Sequence, residues 1–239
     1  MKMIRSIQFT FIAALCAFSL TAVSQTVNQN SGWLFLLNST KLNDKWGLHF
    51  DVQLRSQNEW DGVRNILIRP GLTYFINPKA DVTLGYLYTP TFTKIAGAPD
   101  LTLTEHRVWE QFIYKHKISK ISVSHRFRLE QRFIERNGQD DLFSQRGRYF
   151  VRFMLPLQEG TQSFNKGPFV ALQNEVFLNL QNKNELNGHV YDQNRAYIAG
   201  GYRISPKLDI EAGYMNQAVN GAAVNTSNHI VQLALYTRF

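Results

Sequence analysis

Cysteine is almost absent from this 239-residue sequence, and the single example is Cys16. Cys16 lies in an N-terminal segment that we expect to be removed, so the mature chain has no thiol and cannot form a disulfide. Long apolar runs are also missing, because no segment after residue 24 approaches the ~18 apolar residues that a membrane-spanning helix needs. No segment repeats apolar residues at the i, i+3, i+4, i+7 spacing of an amphipathic helix. These absences exclude a disulfide-stapled domain and a bundle of membrane-spanning helices.

The first 24 residues have the three parts of a secretory signal peptide. Lys2 and Arg5 supply positive charge, residues 9–20 form an apolar run, and Ala22-Val23-Ser24 brings small residues to a cleavage position. This pattern predicts cleavage after Ser24 and secretion across the inner membrane. We therefore expect residues 1–24 to be a signal peptide and residues 25–239 to form a single domain.

The rest of the sequence alternates between apolar and polar residues. In residues 46–55 one parity is entirely apolar, with Trp46, Leu48, Phe50, Val52 and Leu54. The same period of two recurs in residues 81–88, 121–133 and 208–214. Because successive side chains of a β-strand point to opposite faces, this period predicts strands with one apolar and one polar face. We therefore predict an all-β protein.

Strand lengths and connections indicate the architecture. We assign eleven strands, at about residues 33–41, 46–56, 64–75, 81–90, 104–115, 121–133, 145–157, 168–179, 193–203, 208–216 and 228–239. Short turns at residues 43–45, 77–79, 117–120 and 205–207 alternate with longer polar connections at 57–63, 91–103, 134–144, 180–192 and 217–227. This arrangement is typical of an up-and-down antiparallel transmembrane β-barrel. Since bacterial single-chain barrels have an even number of strands, we predict twelve strands, with ten as the second choice.

The predicted location is the outer membrane of a Gram-negative bacterium. The last predicted strand ends on an aromatic residue, Phe239, which resembles the C-terminal insertion signal of outer-membrane barrels. We expect Phe239 to be read by the barrel insertion machinery, and outer-membrane lipids to surround the apolar face of the strands.

Three segments resemble a known family. They are residues 125–133 (HRFRLEQRF), residues 105–111 (EHRVWEQ) and residues 192–195 (DQNR). These runs resemble the family called domain of unknown function 2490, and the resemblance covers nearly all the mature chain. It implies a small outer-membrane barrel of Gram-negative bacteria with no established activity, and it supplies no catalytic residue to carry over.

The polar faces of the predicted strands carry many charges that cannot face lipid. We expect ten of them to line the lumen: Glu105, Arg107, Arg126, Arg128, Glu130, Arg132, Arg148, Arg152, Glu175 and Arg195. Two interpretations remain open. The charges could pair and fill the interior, giving a structural barrel, or they could line a narrow pore that favours small anionic solutes.

Other functions have weaker support in the sequence. A lipid-modifying enzyme, such as a lipase or acyltransferase, needs a nucleophile beside a base, and the nearest candidates are Ser124 with His125 and Ser227 with His229. Adjacent strand residues point to opposite faces, which argues against the first pair. We predict no enzyme activity, no catalytic residue, no cofactor and no metal site, and no nucleic-acid partner. A surface-loop adhesin is a further alternative, and the oligomeric state stays open.

Overall fold

The computed structural model describes residues 25–95, 97–158 and 164–239. The predicted signal peptide, residues 1–24, lies outside this described part. The described residues form eleven β-strands: β1 (Thr26–Lys41), β2 (Trp46–Ser56), β3 (Val63–Asn77), β4 (Ala80–Thr93), β5 (Leu101–Ile118), β6 (Ile121–Arg136), β7 (Gln139–Pro156), β8 (Gly167–Asn179), β9 (Tyr191–Ser205), β10 (Leu208–Val219) and β11 (Asn225–Arg238). Within the same residues, no helix has the length and apolarity to cross a membrane.

The eleven strands form one closed barrel, which confirms the all-β barrel but shows that both predicted strand numbers, twelve and ten, are wrong. Consecutive strands pair antiparallel, and β1 closes the barrel by pairing in parallel with β11. This parallel ladder runs from Thr26 beside Asn225 to Ser39 beside Arg238. In a meander with an odd number of strands the first and last run in the same direction, so the parallel pair removes the need for a twelfth strand.

The connections define two ends of the barrel. We call the lower end the one with the turns at residues 42–45, 78–79, 119–120 and 206–207, so that Lys45, Lys79, Lys120 and Lys207 all lie there. The opposite end is the upper end. The expected long connection at residues 134–144 is instead a two-residue hairpin turn at Asn137-Gly138, with Gly138 at φ +68°. The connection between β7 and β8, residues 157–166, is the long one at the lower end.

The two faces of the wall differ as the alternation predicts. The outer surface carries exposed apolar side chains such as Leu84, Phe127 and Leu233, which are 59%, 52% and 53% exposed. Polar and charged side chains are buried on the inner face, including Asp51, Arg128 and Glu130. The wall is therefore apolar outside and polar inside, the reverse of a soluble barrel.

Two apolar clusters also occupy the interior. One contains Leu67, Leu87 and Trp109, and the other contains Trp33, Tyr197, Ala199, Met215 and Ile230. Trp109 lies against Gly85, where an added Cβ would come within 2.2 Å of the indole ring. Gly85 thus provides the space for an indole inside the barrel, and part of the lumen is filled by packed side chains.

Candidate functional site

Ion pairs cross the interior between strands that are not neighbours. Arg126 on β6 lies 2.7 Å from Glu175 on β8, and Arg146 on β7 lies 3.3 Å from Asp192 on β9. Arg152 on β7 pairs with Glu211 on β10. Because one or two strands separate the partners in the wall, each of these contacts spans part of the lumen.

Glu130 is the centre of the charge network. Its side chain is 1% exposed and accepts hydrogen bonds from Arg146 at 2.7 Å and from Arg148 at 2.5 Å. Arg107 lies 3.6 Å away on the neighbouring strand. A carboxylate at this depth is stable only when paired, and three guanidinium groups surround this one.

Two further glutamates extend the pairing. Glu105 accepts hydrogen bonds from Arg107 at 2.7 Å and from Arg132 at 2.6 Å. Glu175 lies 2.7 Å from both Arg126 and Arg148. We call these residues the Arg–Glu network: Glu105, Glu130, Glu175, Arg107, Arg126, Arg132, Arg146 and Arg148. Since Arg148 bridges Glu130 and Glu175, the network is continuous across β5 to β8.

Three interior arginines form no ion pair in the described part of the chain: Arg55, Arg128 and Arg195. Arg128 donates to the Gln111 side-chain oxygen at 2.6 Å and lies over the Trp109 ring at 4.3 Å. Arg55 and Arg195 donate to glutamine side chains on their own strands, and both lie over the Trp33 ring. Amide and aromatic partners carry no formal negative charge, so these three groups have no salt-bridge partner, although Glu175 lies beside Arg195 in the β8–β9 register.

The interior contains two cavities, one above the other. The upper cavity has a volume of about 310 Å³ and the lower cavity about 330 Å³. Trp33, Arg69, Arg148 and Arg195 line both. Arg69 is held in place by Asp51 at 2.6 Å, and Arg148 belongs to the Arg–Glu network. The four shared side chains therefore lie between the two cavities at mid-height, and two of them, Arg69 and Arg148, are held there by ion pairs.

All ten sequence-predicted lumen residues lie on the inner face, buried or half-buried. Arg128 lies directly beside Arg148 in the β6–β7 register, whereas Arg152 lies beside Ser124. Phe239 follows β11 at the lower end, where its backbone N–H donates to the Ser39 carbonyl at 2.9 Å and its ring is exposed.

Several residues of the site are not among the ten lumen residues predicted from the sequence. Arg146 shares the parity of Arg148 and Arg152 and could have been found from the alternation alone. Arg203, at the lower end, pairs with Asp209 at 2.7 Å and has the parity of Arg195. Trp33 and Gln111 were not predictable as arginine partners, because those contacts depend on how the barrel closes.

The candidate nucleophile–base pairs of a lipid-modifying enzyme do not form among the described residues. His125 contacts His116 at 3.1 Å and the Tyr149 hydroxyl at 2.9 Å, not Ser124. His229 bonds the Tyr214 hydroxyl, while Ser227 accepts from Asn216. No group of three or more potential metal ligands (His, Cys, Asp or Glu) occurs in the part of the chain that the structure covers. The predicted absence of enzyme activity stays a prediction.

The fold and this site define a closed β-barrel with an apolar exterior and an arginine-rich, partly ion-paired interior. The chain belongs to the family described as protein of unknown function (DUF2490), whose model matches residues 30–228. Comparison with curated proteins and with solved structures found no match.

Proposed function

We propose that this protein is an outer-membrane barrel whose lumen is closed at mid-height by the Arg–Glu network. The observation that carries the proposal is the layer of side chains between the two cavities, in which Arg148 of the network and Arg69, paired with Asp51, are held by ion pairs. Fixed side chains that hold each other across the lumen leave no wide aqueous path. The barrel then serves as a stable membrane scaffold.

The outer-membrane location is supported by the distribution of side chains. An outer surface bearing Leu84, Phe127 and Leu233 would expose a large apolar area to water, and such an area marks a membrane or a partner. Lipids of the outer membrane are the partner that fits a continuous apolar wall. We also propose that the insertion machinery reads Phe239, whose ring is exposed at the lower end.

Fractionation tests the location. We expect the mature full chain to co-sediment with outer membranes and to migrate faster on a gel when it is not heated, as folded barrels do. Recovery as a water-soluble periplasmic protein would contradict the membrane assignment.

Conductance in planar bilayers tests the closed lumen. We expect the purified full chain, shown to be inserted by its heat-dependent gel shift, to give no stable stepwise conductance in KCl. Reproducible steps from the unmodified chain would contradict closure.

A second candidate, a narrow pore for small anions, is favoured by one observation. Arg128 and Arg195 face the lumen without an ion-pair partner and could attract anions to a path along the wall. If steps occur, this candidate predicts anion preference, which Arg128→Glu should weaken or reverse. Arg136→Gln, in a pair with Glu185 at the upper end, is the matched control and should leave selectivity unchanged.

A further inference from the structure

The upper cavity has a strong excess of positive charge. Among the described residues, seven arginines line it, and Glu105 is the single carboxylate of that lining. Four of the arginines form ion pairs with carboxylates in or behind the wall: Arg69 with Asp51, Arg107 with Glu105, Arg146 with Glu130 and Asp192, and Arg148 with Glu130 and Glu175. The remaining charge is concentrated on Arg55 and Arg195, with Arg64 exposed nearby.

Arg55 and Arg195 meet at one indole ring. The guanidinium carbon of Arg55 lies 3.9 Å from the Trp33 ring centroid, and that of Arg195 lies 5.1 Å from it. They come from β2 and β9, on either side of β1, so the closure of the barrel brings them together. Gln53 and Gln193 accept one hydrogen bond each from the two Nε atoms, at 3.0 and 3.2 Å. These amides orient the two guanidinium groups without neutralising them.

Two like charges at one ring, partly removed from water, repel each other unless an anion lies between them. A guanidinium group presents a planar set of donors that matches the oxygens of a carboxylate or phosphate. The cavity volume of about 310 Å³ corresponds to roughly ten water molecules at ~30 Å³ each. This space admits a small anion with part of its hydration shell and excludes a polymer.

We propose that Arg55 and Arg195, held on Trp33, form a binding site for a small dianionic oxyanion, with inorganic phosphate as its simplest member. Two guanidinium groups without a salt bridge match the two charges of a dianion, and the amides that line the cavity supply additional donors, among them Gln29, Gln217 and Asn228. The site opens to the upper end, since Gln29, Val219 and Thr226 come from the upper ends of their strands. This anion site goes beyond the closed barrel of the proposed function, because a ligand that enters from the upper end needs no path through the Arg–Glu network.

Titration calorimetry on the purified full chain in detergent tests the site. The probes are inorganic phosphate, sulfate and succinate, each compared with chloride at equal ionic strength. We expect saturable binding of at least one dianion. Arg55→Gln and Arg195→Gln should each weaken that binding by roughly tenfold or more, as expected for loss of a charge-assisted hydrogen bond.

Two controls test whether weaker binding comes from loss of the site itself, rather than from a lower net charge or from misfolding. Arg136→Gln removes an arginine that does not line the cavity and should change the affinity by less than about twofold, within the variation expected at a remote site. Neither Arg55 nor Arg195 forms a salt bridge in the described part of the chain, and Glu175, beside Arg195, keeps its ion pairs with Arg126 and Arg148. Their replacement therefore leaves no orphaned acid, and the heat-dependent gel shift should persist. If Arg55→Gln fails to fold, Arg195→Gln decides the question alone.

Every result of this experiment bears on the site. Binding of phosphate, sulfate or succinate that is lost in the folded variants supports it. No saturable dianion binding, a response equal to that of chloride, or unchanged affinity in the folded variants would overturn it. The conductance measurement on the same preparation is independent, because a closed barrel can bind and an open one can fail to bind.

Discussion

Replacement of Glu130 by glutamine removes the carboxylate at the centre of the Arg–Glu network. The side chain is 1% exposed, and Arg146, Arg148 and Arg107 lie within 3.6 Å of it. Loss of one partner from a buried ion pair typically costs ~3–5 kcal/mol, because it leaves an uncompensated charge. Glutamine has the shape of glutamate, so the change isolates charge from packing.

The remaining contacts of the three arginines determine how large the loss of stability is within the range of ~3–5 kcal/mol. Each arginine around Glu130 keeps a second carboxylate: Arg107 keeps Glu105 at 2.7 Å, Arg148 keeps Glu175 at 2.7 Å, and Arg146 keeps Asp192 at 3.3 Å. We therefore expect Glu130→Gln to lower the free energy of unfolding by about 3 kcal/mol, the lower end of the range. Glu175→Gln should cost more, about 4–5 kcal/mol, because Arg126 then has no other carboxylate.

Urea unfolding of the full chain in lipid vesicles, followed by tryptophan fluorescence, measures these losses. Asp61→Asn is the control, because its pair with Lys94 is exposed and should contribute less than ~1 kcal/mol. The double variant of Glu130 and Glu175 leaves Arg148 without a carboxylate, so its loss should exceed the sum of the single losses by ~0.5–3 kcal/mol. A Glu130→Gln loss no larger than that of Asp61→Asn, or additive double-variant losses, would refute the network as described.

Three further predictions test the wall, the packing of the interior and the orientation. Phe127→Arg, near the middle of β6 on the outer surface, should lower folding stability in lipid by ~2–4 kcal/mol if this surface faces the bilayer core; an unchanged urea midpoint in vesicles would argue against a lipid-facing wall. Gly85→Ala should lower stability by ~1–3 kcal/mol, because the added methyl meets the Trp109 ring; a fully neutral result would mean that the indole lies elsewhere. Short turns of outer-membrane barrels face the periplasm, so we expect the lower end, with its short turns, to be periplasmic and the upper end to be extracellular. Since the predicted mature chain lacks cysteine, single-cysteine variants report this orientation: Asn137→Cys at the upper end should react with an impermeant maleimide on intact cells, and Lys79→Cys at the lower end should react only after lysis. Labelling of Lys79→Cys on intact cells would reverse the orientation.

The alternation of the sequence predicts most of the wall. Its limit is the first strand, which begins at Thr26 rather than near residue 33. Residues 26–32 (TVNQNSG) are mostly polar and show no apolar parity, yet they pair along the upper part of β11. Backbone hydrogen bonds to a neighbouring strand do not require an apolar side chain. The apolar–polar alternation therefore does not reveal this part of β1, although its pairing with β11 continues there.

The predicted strand number was wrong because it assumed that the first and last strands pair antiparallel. An even count was inferred because antiparallel closure requires it, whereas the first and last strands of this barrel pair in parallel. The long connection expected at residues 134–144 was also wrong, and the sequence contains the signal against it. Asn137-Gly138, flanked by alternating segments, strongly indicates a hairpin, and β6 and β7 continue to a tight turn there.

The charged site was predictable in its residues but not in its pairing. Parity alone places Arg126, Arg128 and Glu130 on one face, and the structure has them there. Which arginine meets which acid depends on the stagger of strands around the barrel, as the Arg126–Glu175 contact across two strand spacings illustrates. Arg55 and Arg195 are brought to one ring only by closure through β1, a relation that no local pattern contains.

Arginines occur in two settings in the interior, some ion-paired and some without a salt bridge. The positions of the acidic side chains determine which setting each arginine has. Glu130 and Glu175 lie where the arginines of β6 and β7 converge, and every pair there removes charge from the lumen at mid-height. In the upper cavity Glu105 is the single acid among the described lining residues, and Arg55 and Arg195 form no salt bridge there. Adding carboxylates beside Arg55 would have extended the closed layer upwards. The side chains beside Arg55 and Arg195 are instead Gln53 and Gln193, which orient the guanidinium groups and leave them charged. A bound anion would then supply the negative charge that these two amides lack.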